Sequence, residues 1–224
     1  MKRQKLDERI LPVYTRGEEI FNMVSHIAGG AVGISAVVLC VVFAAIHKNS
    51  YGVVGSSIYG ASMIILYTCS SIYHGLNPDL KAKKVFQVID HCSIFILIAG
   101  SYTPICLTAL REFDARLSWW IFGIVWAAAI LGILLNAIDL RRYRVFSVIC
   151  YIAMGWCILG AYRAYDFLKE RGGIGLLFWG GVAYTVGVIF YGLQKKYKYM
   201  HSIFHLFVVA GSVLQMLYIL LYIV

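Results

Sequence analysis

Two histidines four residues apart, His201-Ser-Ile-Phe-His205, leave a helix on one face and can reach a single ion. Ser70-Ser-Ile-Tyr-His74 repeats the spacing, with a hydroxyl one turn from a third imidazole. Neutral imidazoles suit a borderline cation, zinc ahead of Fe(II), Mn(II) or Ni(II). Three protein ligands leave a fourth position for water, the pattern of a catalytic rather than a closed zinc site. Asp90, an acid inside an apolar run, would hold and deprotonate that water, its own charge offset by the cation. Each residue alone has a plainer reading, a hydrogen-bonded packing histidine or an aspartate that caps a helix. The metal reading therefore rests on the set and on its common depth.

The elements that must position this set are membrane helices. Of 224 residues, 61% are apolar and 14% charged, whereas soluble domains have about 45–50% apolar and about 25% charged residues. That balance excludes a cytosolic enzyme, a secreted domain and a disordered chain. Cutting at every Lys, Arg, Asp and Glu leaves uncharged runs at 20–47, 49–78, 91–110, 117–138, 145–162, 172–194 and 199–224, and the third extends back to Val85 across Asp90. A bilayer needs about 17–25 helical residues. The expectation is an all-α integral membrane protein of seven transmembrane helices. It forms one domain over 1–224, with a short cytoplasmic segment at 1–19 and a bundle over 20–224. Asp90 is expected to be the only acid or base within a span. The mixed-charge start and the long first apolar run argue against a cleaved signal peptide.

Orientation follows from the loops, because cytoplasmic ones collect Lys and Arg. One side carries fourteen, including Lys81, Lys83, Lys84, Arg141, Arg142 and Arg144, and the other six. The N-terminus is thus expected inside and Val224 outside, in a cell membrane. This topology accounts for most of the net charge of +9 and removes the motive for nucleic-acid binding. Counted from the cytoplasmic boundary at 1.5 Å per residue, His74 is about 7–8 Å deep, Asp90 about 9 Å, His201 about 4–5 Å and His205 about 10 Å. Residues far apart in sequence thus share one layer.

The other polar or aromatic residues of the spans have humbler expectations. His26 and His91 read as structural or supporting, and His47 as solvated. All six cysteines fall within spans without a C-x-x-C pair and read as small packing residues. Gly29-x-x-x-Gly33 suits close helix contact. Trp119 and Trp120 read as interface anchors, while Tyr73, Tyr102 and Tyr184 are candidates for a pocket lining.

Glu18-Glu19-Ile-Phe-Asn22-Met-Val-Ser25-His26-Ile-Ala-Gly29, Ser70-x-x-x-His74, Ile89-Asp90-His91, Ala99-Gly100-Ser-Tyr-Thr-Pro104 and His201-x-x-x-His205 together resemble the bacterial hemolysin III family. That family is part of the progestin and adipoQ receptor superfamily, which includes the adiponectin receptors and is similar more distantly to the alkaline ceramidases. The resemblance covers essentially the whole chain. It implies zinc held by His74, His201 and His205, Asp90 contacting zinc through water, and Ser70 beside a reacting carbonyl. Only about nineteen residues precede the first run, which sets a hormone-receptor role in doubt. Two functions follow. One is a zinc-dependent lipid amide or ester hydrolase acting on membrane lipids, with Asp90 and Ser70 catalytic. The other is a non-enzymatic membrane-perturbing hemolysin, or a regulator of membrane lipid composition. A dedicated pore is disfavoured because no run carries a polar stripe through its whole length.

Overall fold

A computed structural model describes Leu6 and residues 9–224, and every regular element among them is helical. Helix α1 (Arg16–Ile46) opens on a capping box, in which Thr15 N–H donates to Glu18 Oε2 at 2.8 Å and Glu18 N–H to Thr15 Oγ1 at 3.3 Å. The helix therefore starts four residues before the first uncharged run. Glu18 and Glu19 lie inside it, which corrects the expectation that Asp90 is the only acid within a span. Glu18 faces the bundle because its second oxygen accepts Tyr199 N–H at 2.7 Å.

Helix α2 (Ser50–Gly75), capped by the Asn49 side chain, returns alongside α1. Gly29 and Gly33 line that contact. A Cβ on Gly29 would stand 2.5 Å from the Tyr67 ring, and one on Gly33 3.1 Å from Met63, so both glycines do serve close helix packing. Helix α3 (Lys81–Ile105) continues through a π-helical turn at Cys106–Leu110. It is the central element: 83% of its most apolar stretch is buried, against 11–50% in the other long helices.

The element Ala115–Gly155 is two helices. Asp139 has φ −157° and ψ 91°, nearly those of the N-cap Asp114 (φ −153°, ψ 96°). Each aspartate accepts the backbone N–H three residues on, Leu117 at 3.0 Å and Arg142 at 3.1 Å, the hydrogen bond of a helix start. We label the two parts α4 (115–138) and α5 (140–155). They fold back on each other, since Ser147 Oγ donates to Asn136 Oδ1 at 2.7 Å, whereas a continuous helix would hold those residues about 16 Å apart. The expected run at 145–162 is thus displaced: its helix starts at 140 because Asp139 caps it, and the chain is irregular at Trp156 and Ala161.

Helix α6 (Tyr162–Arg171) and the turn at Gly172 and Gly173 follow. The turn needs glycine twice over at Gly173, where φ is +68° and a Cβ would meet the Tyr222 ring at 2.3 Å. Helices α7 (Ile174–Leu193) and α8 (Met200–Tyr222) close the bundle. Among the described residues, six helical stretches are long and apolar enough to cross a membrane. Their outward faces carry exposed Ile27, Val42, Ile130, Trp179 and Leu221, and this apolar exterior marks a multi-pass membrane protein. Trp119 and Trp120 are exposed, and all six cysteines are free.

Candidate metal centre

His74 occupies the last turn of α2, and His201 and His205 occupy the first turns of α8. All three are buried, and one ring nitrogen from each lies within 4.8 Å of the others. His205 Nε2 stands 3.1 Å from His201 Nε2. The sequence spacing anticipated this grouping; the structure adds what holds the rings.

Helix α1 supplies most of that support. Asn22, wholly buried, uses its backbone carbonyl to accept the His205 Nδ1–H at 3.2 Å, and its side-chain Oδ1 accepts Ser202 Oγ–H at 2.7 Å. Glu19 Oε2 accepts the His74 Nδ1–H at 2.6 Å. A carbonyl and a carboxylate can only accept, so both Nδ1 atoms carry a proton, and in the neutral ring each Nε2 then keeps a lone pair. A histidine metal ligand needs that arrangement.

The donor set has the spacing that a metal ion requires. Two nitrogens about 2.0–2.1 Å from one tetrahedral ion stand about 3.3 Å apart, close to the 3.1 Å between His201 and His205. Apart from the His26 ring, which serves in packing, three buried polar atoms here have no protein partner: His74 Nε2, His201 Nδ1 and Ser70 Oγ. Buried polar atoms are rarely left unpaired, and their concentration at one place fits a bound cation with its attendant polar ligand. The three histidines could therefore hold a metal ion.

Asp90, on α3, lines a cavity of about 110 Å³ together with Ser70, His26, His91, His201 and His205. Its Oδ2 is 3.5 Å from His91 Nδ1. That nitrogen donates to the Gln87 carbonyl at 2.8 Å, which is the stronger contact. His26 stacks face to face on His205, with centroids 3.6 Å apart at 11°. Beyond this polar end the cavity is walled by apolar side chains such as Leu97, Ile98, Ile152 and Val188. It shares Tyr102, Trp156 and Gln215 with a smaller cavity of about 30 Å³. Tyr102 and Tyr184 belong to the lining as expected; Tyr73 does not, being buried against His74 instead.

On the far side the site is covered by Tyr14, which precedes α1. Its ring stacks on His201 at 5.1 Å and its hydroxyl donates to Gln194 Oε1 at 2.7 Å. Burial raises the Tyr14 phenol far above its ordinary range and keeps it a neutral donor. Sequence reasoning missed Tyr14, Glu19, Asn22 and Lys83 as parts of this site. Asn22 stands one turn before His26 and Glu19 two turns before it in the Glu18-to-Gly29 stretch, a spacing that could have flagged them.

A helical membrane bundle with a buried histidine triad, one member at the end of α2 and two at the start of the last helix, defines a class of protein. Within that class, the profile of the family described as haemolysin-III related matches residues 14–216. The chain is 38% identical over 207 residues to Hemolysin-3 of Bacillus cereus, covering 92% of each. It is 35% identical over 210 residues to the Hemolysin-3 homolog of Bacillus subtilis (strain 168), covering 94% of this chain and 96% of that one. A more distant similarity, 26% over 166 residues, joins it to the Monocyte to macrophage differentiation factor of Homo sapiens, covering 69% and 64%. The chain belongs to the hemolysin III family.

Proposed function

We propose that this chain crosses the membrane seven times with its N-terminus inside, and that it binds zinc at His74, His201 and His205 to hydrolyse an amide or ester bond of a membrane lipid. The antiparallel pairing of α4 and α5 supports the seventh crossing: α5 spans about 24 Å, and the turn Cys157–Gly160 extends it. The basic stretches 81–84 and 141–144, in the first turns of α3 and α5, and 195–198, just before α8, lie at the histidine end of the bundle, which supports a cytoplasmic site.

The observation that carries the reading is the lone-pair Nε2 of His74, buried and unpartnered beside two further imidazoles. Zinc, when bound, would supply Lewis acidity toward a carbonyl and lower the pKa of water toward about 7. The Asp90 carboxylate, on the cavity wall, would accept the proton of an attacking water at Oδ1 or Oδ2. Ser70 Oγ–H, which has no protein acceptor, would donate to the carbonyl oxygen as it gains charge. The apolar walls would seat an acyl chain and exclude bulk water.

The first experiment is elemental analysis of detergent-purified protein, prepared without added metal or chelator, beside a His201→Ala/His205→Ala double variant. About one zinc per chain, lost in the variant, is expected. Release of fatty acid from ceramide, amide and phospholipid vesicles should then fall at least about 100-fold in Asp90→Ala. Equal release by Asp90→Ala and wild type would end the hydrolase reading. The name Hemolysin-3 of the Bacillus cereus relative favours a second reading, membrane perturbation without turnover. Dye leakage from sealed vesicles that persists in the double variant would support it.

A further inference from the structure

Lys83, in the first turn of α3, is the unexpected cation of the set. Among the basic residues that orient the chain it is only 1% exposed. Its Nζ donates to Glu19 Oε1 at 2.7 Å and to the Leu76 carbonyl at 2.9 Å. Leu76 caps the C-terminal end of α2, where carbonyls lack helical partners. The other oxygen of the same carboxylate, Oε2, takes the His74 Nδ1–H. One carboxylate on α1 thus divides its two oxygens between the first turn of α3 and the last turn of α2, and His74 is the member that faces the metal centre.

A second group competes for the same nitrogen. The Asn22 side-chain amide Nδ2 lies 3.5 Å from His74 Nδ1, and its Oδ1 is already engaged by Ser202. An amide N–H can only donate, so toward Asn22 alone His74 would turn a lone pair at Nδ1 and carry its proton at Nε2. That tautomer cannot ligate at Nε2. Glu19, at 2.6 Å against 3.5 Å, imposes the opposite one. Lys83 in turn holds the carboxylate in place, because a partly buried anion without a cation would draw back toward water.

We propose that Glu19, anchored by Lys83, is the positioning residue that holds His74 in its metal-binding tautomer, so that a carboxylate outside the ligand set governs the metal affinity of the site. This rests on the metal reading above and adds to it a cause for the affinity. Outer carboxylates that orient histidine ligands typically contribute about 10- to 100-fold in metal affinity.

The test uses the full chain in detergent micelles, with zinc affinity measured by competition against a chromophoric chelator and the visible spectrum recorded after cobalt substitution. Glu19→Gln is expected to bind zinc about 10- to 100-fold more weakly than wild type, with an altered cobalt spectrum. Lys83→Met should weaken binding less, and the Glu19→Gln/Lys83→Met double variant should bind no more weakly than Glu19→Gln alone, because Lys83 acts through Glu19. Lys83→Arg, which keeps the cation, should restore most of the Lys83→Met loss. Wild-type affinity in Glu19→Gln would overturn the proposal while leaving the metal reading intact, and so would losses that add in the double variant. If Glu19→Gln does not fold, equal affinities of Lys83→Met and Lys83→Arg would overturn it. Folded wild type that holds no more zinc than His74→Ala would overturn the metal reading and this proposal together.

Discussion

At the scale of single residues, the site is distinguished by polar atoms that the protein leaves unpaired. His26 is the extreme case: 3% exposed, flat against His205, edge-on to Tyr67 at 5.0 Å, with neither ring nitrogen bonded. Its shape is used in packing and its nitrogens are not. His26→Phe is therefore expected to keep zinc at about one per chain and to leave the unfolding temperature unchanged or higher, because replacing an unpaired buried polar ring by an apolar one of similar shape is neutral or stabilising. Loss of zinc in that variant would place His26 among the ligands. His74, His201, His205, Asp90 and Ser70 were legible in the sequence because i, i+4 spacing and membrane depth are one-dimensional quantities. Glu19 and Lys83 were not, because a residue at a helix end reads as loop charge until a partner on another helix is known.

At the scale of helices, the grouping of the three histidines depends on how closely α1 approaches α2 and α8. Gly29 permits the approach to α2, and Tyr67, which its bare backbone touches, donates to Ser212 Oγ on α8 at 2.7 Å. Gly29→Ala forces the Tyr67 ring aside and is expected to cost about 1–3 kcal/mol, the usual price of overpacking, read as a lower thermal unfolding midpoint in micelles. An unchanged midpoint would show that the two helices can part without loss. The same scale shows where hydropathy misplaces a boundary. Asp139 sits one residue beyond the apolar run ending at 138 and starts α5 at 140, drawing Arg141, Arg142 and Arg144 into its first turns. Charge counting ends a span at such residues, whereas helix geometry ends it at the cap.

At the scale of the molecule, the three histidines and the groups that support them gather at one end of the bundle, and the apolar cavity extends from there toward Trp156 and Gln215. With an inside N-terminus, that end faces the cytoplasm. In a variant lacking its six native cysteines, Lys48→Cys on the loop between α1 and α2 should react with an impermeant thiol reagent added to intact cells. Lys196→Cys between α7 and α8 should react only after lysis. The reverse pattern would invert the topology and move the site to the outer leaflet.

The sequence by itself determined the membrane environment, most of the helices and the identity of the three histidines. Each of these follows from local quantities: the length of an apolar run, the sign of a loop, and the angle between residues one turn apart. Only the tertiary structure decided which nitrogen of His74 and of His205 is left without a hydrogen-bond acceptor. That choice belongs to acceptors on another helix, the Glu19 carboxylate for His74 and the Asn22 carbonyl for His205. The burial of Lys83 was settled in the same way, by a carboxylate 64 positions earlier that makes the buried charge tolerable. Spacing along a chain cannot express such a pairing, because a hydrogen bond between helices depends on their rotation about their own axes. That rotation is set by packing the whole bundle at once.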